Sequence, residues 1–198
     1  MSEILFTNFN PDKVVDSIIR YGASSVNLIP ENFLSNLNRQ VRDCSFEGSF
    51  ESRFQTEILK PLCGPAKELN DQLELLINEK LRDAKPNVLS RPYNFDSATV
   101  GRLLPWGEVS QHPDLGCFGL ICFSLLDEGR NIYTSPTTNY NDFQSTKTKL
   151  STIAGDVVFM RGLGFLGLNH PIYHQVTRKR TLDPSYSIVF RNQKGLGT

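Results

Sequence analysis

From Val88 onward the chain offers six short runs of β-forming residues, ATVGRLL, FGLICFSLL, NIYTS, GDVVFM, YHQVT and YSIVF, each bounded by turn residues. No helical period of useful length separates them. Parallel strands need long crossovers, usually helices, so this pattern predicts an antiparallel barrel or jelly roll with helices packed outside it. The segment 135–149 is rich in Ser, Thr and Asn and reads as a loop covering a barrel mouth.

The part before Val88 has a different period. Val14, Val15, Ile18 and Ile19 share one face if a helix follows Pro11, and Gly22 is placed to end it. A second helix is predicted after Gly64–Pro65, where Leu69, Leu73, Leu76, Ile77 and Leu81 repeat at helical spacing until Pro86. The expectation is one α+β domain over 1–198, mainly helical in 1–87 and jelly-roll in 88–198.

Composition removes several classes of function. Lys plus Arg and Asp plus Glu each number 21, so net charge gives no argument for nucleic acid or an acidic membrane. No apolar run approaches the roughly 20 residues of a membrane helix, and MSEILFTNFNPDK lacks a basic segment followed by an apolar one. A cytoplasmic protein is expected. Cys44, Cys63, Cys117 and Cys122 form no CxxC pair, so reduced thiols are expected and sulfur-bound structural zinc is not.

All three histidines, His112, His170 and His174, lie in the β-rich part. His112 and Asp114 form an H-x-D pair after the turn-like PWGE, and residues two apart on a strand point the same way. His170 and His174, four apart, would also share a face. Two imidazoles and one carboxylate make the facial set that leaves iron(II) with open positions. An isolated H-x-D is common; the order of turn, H-x-D, apolar strand, Gly-Asp strand and H-Q-V carries the weight.

In that order the stretch from about Val100 to Gln193 resembles the iron(II)- and 2-oxoglutarate-dependent oxygenases, particularly the isopenicillin N synthase-like branch. HPDLGCFGLICFSLLDE is similar to the branch's H-x-D-x-G and following strand, GDVVFMRGLGFLGLNHPIYHQV to its Gly-Asp strand, turn and H-x-V, and SYSIVFRN to its final R-x-S strand. The resemblance implies a double-stranded β-helix with flanking N-terminal helices. It implies Fe(II) held by His112, Asp114 and His174, with His170 as the alternative third ligand. It also implies 2-oxoglutarate and dioxygen as cosubstrates and hydroxylation or a related C–H oxidation of a small molecule.

One departure matters. Ser185 stands where the family has the arginine that pairs with the distal carboxylate of 2-oxoglutarate. A hydroxyl cannot give the bidentate, charge-assisted pair of a guanidinium. Arg191, on the same predicted strand face as Ser185 and Ser187, is the first substitute, and Arg102 the second. Tyr133, Trp106 and Phe159 are candidate pocket walls, each also readable as ordinary core.

Other readings stay open. Gly162-x-Gly164-x-x-Gly167 matches a dinucleotide fingerprint, but Asn169–His170–Pro171 follows in place of a helix, so a turn is expected. Arg178–Lys179–Arg180 could meet phosphate in a nucleic-acid-demethylating oxygenase, although three basic residues usually form a solvated turn. A closed zinc site of His112, Asp114, His170 and His174 and a non-catalytic jelly-roll module are the remaining alternatives.

Overall fold

A computed structural model describes residues 9–46, 53–178 and 183–193. Helix α1 (Pro11–Tyr21) begins where the sequence predicts: the Asn10 side chain accepts from Lys13 N, Pro11 occupies the first turn, and Gly22 closes the helix at φ +82°. A Cβ on Gly22 would lie 2.7 Å from the Ser135 carbonyl, so both conformation and close approach require glycine. β1 (Ala23–Asn27), α2 (Glu31–Arg42) and β2 (Phe54–Ile58) follow. α3 (Gly64–Leu75) then continues as a π-helical segment, Leu76–Arg82.

Eight strands complete the chain: β3 (Ser97–Leu103), β4 (Glu108–Pro113), β5 (Leu120–Leu125), β6 (Arg130–Thr134), β7 (Thr148–Lys149), β8 (Asp156–Arg161), β9 (Tyr173–Arg178) and β10 (Ser185–Arg191). They form two antiparallel sheets, one ordered β1-β8-β5-β10-β3-β2 and the other β4-β9-β6-β7. The α+β jelly roll is therefore present. The part before Val88 is less helical than expected, because β1 and β2 are the edge strands of the large sheet. Their sequences, ASSVN and FQTEI, carry too little apolar alternation to read as strands.

Two cores follow from strand alternation. Val100, Leu120, Cys122, Val157, Phe159, Ile188 and Phe190 leave one face of the large sheet and pack against Val14, Ile18, Leu37, Leu69, Leu73, Ile77 and Leu81 of the helices. Residues of opposite phase, Leu103, Phe123, Leu125, Val158, Met160 and Val189, pack between the sheets against Ile132 and Val176. This second core lies between the two sheets, on the side of the candidate site. Between 135 and 149 the expected loop winds into short turns at Tyr140–Asp142 and Phe143–Thr146 before β7. The glycines of 162–167 make a turn, with Gly164 at φ +77° and Gly167 at φ +72°. Of the basic run, Lys179, Arg180 and the Arg178 side chain lie outside the described residues.

Candidate metal centre

His112 and His174 are directly opposed Cα partners on β4 and β9. The pairing shifts register between Val109 and His112, the kind of irregularity that re-aims a side chain beside a functional site. The two imidazole rings lie 4.2 Å apart, centroid to centroid. Asp114 lies one residue beyond the end of β4, so the turn, and not strand pleating alone, brings its carboxylate to the rings. Ligand atoms of His112, Asp114 and His174 all lie within 4.8 Å of one another, the one such group found among the described residues.

The protonation states suit a cation. His112 Nδ1 lies 2.8 Å from the Ser110 carbonyl, a contact that assigns the ring proton to Nδ1 and leaves Nε2 to coordinate. Burial pushes the His174 pKa down, and His112 and Arg191 add to this against the opposing pull of Asp114; the result is about 4, so the ring is neutral at pH 7. Burial alone would raise the Asp114 pKa, but His174, Arg191 and His112 together hold it below the ordinary carboxylate range. Asp114 Oδ2 is buried, accepts no hydrogen bond, and sits 3.8 Å from His174 Nε2. A cation among these three groups satisfies that oxygen.

The other candidates are placed differently. His170 is exposed in the segment before β9 and is outside the group, so the four-ligand zinc arrangement is not assembled. Arg191 Nη2 lies 3.3 Å from Asp114 Oδ1, at the metal end of β10 and not beside Ser185. Arg102 bonds Gln55 and covers the ring of Phe46 at 4.4 Å, so its guanidinium is occupied away from the site. Ser185 and Ser187 are fully buried.

The three proposed walls make their contacts elsewhere. Trp106 is 70% exposed in the β3–β4 turn, and Tyr133 lies beneath Lys147. Phe159 belongs to the helix-side core, in edge contact with Phe9. Next to the candidate ligands, Leu115 (76% exposed) follows Asp114, while Tyr140 (58% exposed) packs edge-on against Tyr173, which as the strand neighbour of His174 faces the other side of the sheet. The Tyr140 carbonyl also accepts a hydrogen bond from Gln111, the residue before His112.

Sequence reasoning missed Arg130. Among the described residues it is the largest fully buried side chain, 1% exposed, at the start of β6. Its Nε donates to Ser185 Oγ (3.0 Å) and its Nη2 to the carbonyls of Gly101 (2.6 Å) and Ser185 (2.7 Å). A signal was available: the alternation of Ile132 and Thr134, carried back two residues, puts position 130 on the buried face.

No protein-family model matches the sequence, and no curated protein matches it. Solved structures do. A Pseudomonas putida prolyl-4-hydroxylase is 18% identical, with a TM-score of 0.63 over 92% of this chain and 99% of its own. HygX from Streptomyces hygroscopicus, with nickel and 2-oxoglutarate bound, is 12% identical, with a TM-score of 0.66 over 92% of this chain and 87% of its own. An oxidoreductase of the 2OG-Fe(II) oxygenase family from Burkholderia pseudomallei is 10% identical, with a TM-score of 0.64 over 96% and 94%. The chain therefore has the double-stranded β-helix fold of the 2-oxoglutarate- and iron(II)-dependent oxygenases. The likeness does not single out the isopenicillin N synthase-like branch.

Proposed function

We propose that this protein is a non-haem iron(II) oxygenase that uses 2-oxoglutarate and dioxygen to oxidise a C–H bond of a small organic substrate. The observation that carries the reading is the convergence of two imidazoles and one carboxylate at a single point, with His174 neutral and Asp114 Oδ2 awaiting a partner. This donor set suits iron(II) and, supplying three ligands, leaves coordination positions open for exogenous molecules.

His112 and His174 would hold the ion through neutral nitrogen, and Asp114 would contribute the one negative charge. When bound there, iron(II) supplies the redox chemistry that couples oxidative decarboxylation of a 2-oxo acid to oxidation of the substrate. The chain's own residues fix geometry. Ser110 orients the His112 ring, Arg191 restrains the Asp114 carboxylate, and the apolar core of Ile132, Val176 and Val189 excludes water from the barrel below.

Leu115, exposed directly after Asp114, offers an apolar contact to a substrate with an apolar portion. HygX, solved with both nickel and 2-oxoglutarate, supports the choice of cosubstrate. Among the described residues no helix is long and apolar enough to cross a membrane, and the four free cysteines suit the reducing cytoplasm where we place the protein.

The test is succinate production by protein reconstituted with Fe(II) and supplied with 2-oxoglutarate in air. Succinate formation that requires iron and falls to background in Asp114→Ala supports the assignment. No succinate from protein that holds one Fe(II) per chain and binds 2-oxoglutarate would overturn the enzymatic reading in favour of a non-catalytic module.

A further inference from the structure

We propose that Arg130, on β6, receives the distal carboxylate of the 2-oxo diacid cosubstrate, with Ser187 as a hydrogen-bonding partner on the facing sheet. The inference rests on the oxygenase reading and assigns a site residue within it. The resemblance places an arginine at position 185, where this chain has serine. Arg130 comes from the opposite sheet, and its Nε donates to the Ser185 hydroxyl. The cation missing from β10 is thus supplied across the barrel at the same place.

Position along the strands agrees. Thr134 is the Cα partner of His174, and Arg130 lies four residues further along β6, roughly 13 Å at strand rise. A five-carbon diacid held by its keto-acid end near His174 covers part of that span, and the long arginine side chain covers the rest. Ser187 sits two residues from Ser185 in the direction of the metal end of β10. Its Oγ is fully buried and makes no hydrogen bond, as expected of a donor kept for a ligand.

The arrangement holds the guanidinium firmly. The Gly101 and Ser185 carbonyls both accept from Nη2. The Ser185 hydroxyl, which accepts from Nε, donates in turn to Asp127 Oδ1 at 2.5 Å. Asp127 also accepts from Gly129 N and Tyr186 N, so its charge is spread over three donors. A carboxylate meeting a guanidinium in this water-poor interior gains more than it would at the surface. Arg191 is a poorer choice because it is bound to Asp114 at the other end of the strand.

The test is calorimetric binding to Mn(II)-loaded protein, comparing 2-oxoglutarate with 2-oxobutyrate, which shares the keto-acid end and lacks the distal carboxylate. Arg130→Gln should weaken 2-oxoglutarate by at least about thirtyfold, the loss expected from truncating one member of a buried charged pair, and leave 2-oxobutyrate unchanged. Ser187→Ala removes a hydroxyl that makes no hydrogen bond in the fold and should weaken 2-oxoglutarate alone by about three- to tenfold. Unchanged 2-oxoglutarate binding in Arg130→Gln overturns the inference. If that variant does not fold, unchanged binding in Ser187→Ala overturns it. Wild-type protein that holds Mn(II) and binds neither ligand refutes the cosubstrate reading itself, a result distinct from selective retention in the variants.

Discussion

Lowering the pH should destabilise the metal-free protein through His174, and the size of the effect follows from its burial. In an unfolded chain the ring titrates near 6.5, and in the fold it titrates at about 4. Between those values the unfolded state binds the proton and the folded state does not, so stability rises with pH across the window. The contribution is complete above about pH 6.5 and disappears as pH falls through about 4. At about 1.4 kcal/mol per unit, a shift of roughly two and a half units amounts to about 3 kcal/mol. For a chain of this size that corresponds to about 6–12 °C in Tm.

The assay is urea denaturation of chelator-treated protein from pH 7.5 to pH 4, for wild type and for His174→Gln. Glutamine keeps much of the volume and removes the titration. Carboxylates away from the site contribute alike to both proteins, so the difference between the two curves reports the imidazole together with its coupling to Asp114. The wild type should lose about 3 kcal/mol more than the variant over this range. Parallel curves would refute the argument, because they would mean that the ring is protonated in the fold as easily as in water.

Further expectations separate packing from chemistry. Phe159→Ala should destabilise the protein by about 3–5 kcal/mol by opening the helix-side core, measured by denaturation, while metal affinity stays unchanged. Trp106→Ala should change stability by no more than about 0.5 kcal/mol and leave KM unaltered, whereas Leu115→Ala should raise KM once a substrate is found. Asp127→Ala removes the acceptor of Ser185 Oγ, Gly129 N and Tyr186 N and should cost at least about 2 kcal/mol by the same denaturation assay.

The barrel was legible because most of its strands carry their own signal. LICFSL and DVVFMR are buried along their whole length, and β10 alternates Ser185 and Ser187 inward with Tyr186 toward the helices. β4 was not legible, since EVSQHP offers no apolar face and exists as a strand through its pairing with β9. α2 went unread for another reason: its buried Phe33, Leu37 and Val41 are spaced at one residue per turn among polar neighbours, a narrow stripe. The candidate metal group was legible because the chain has so few histidines. Choosing His174 over His170 needed the H-Q-V context, and the structure separates them by burying one and exposing the other. Arg130 was missed because DEGRN reads as a turn, and a charged side chain is not expected inside a barrel until the facing serines are placed beside it.

Anaerobic titration of metal-free protein with Fe(II) tests the account most directly. Wild type and His170→Ala should each take up one ion per chain, while His112→Ala, Asp114→Ala and His174→Ala should each lose that binding although they remain folded. Full occupancy in folded His174→Ala, or loss of the ion in His170→Ala, would contradict the assignment of the centre.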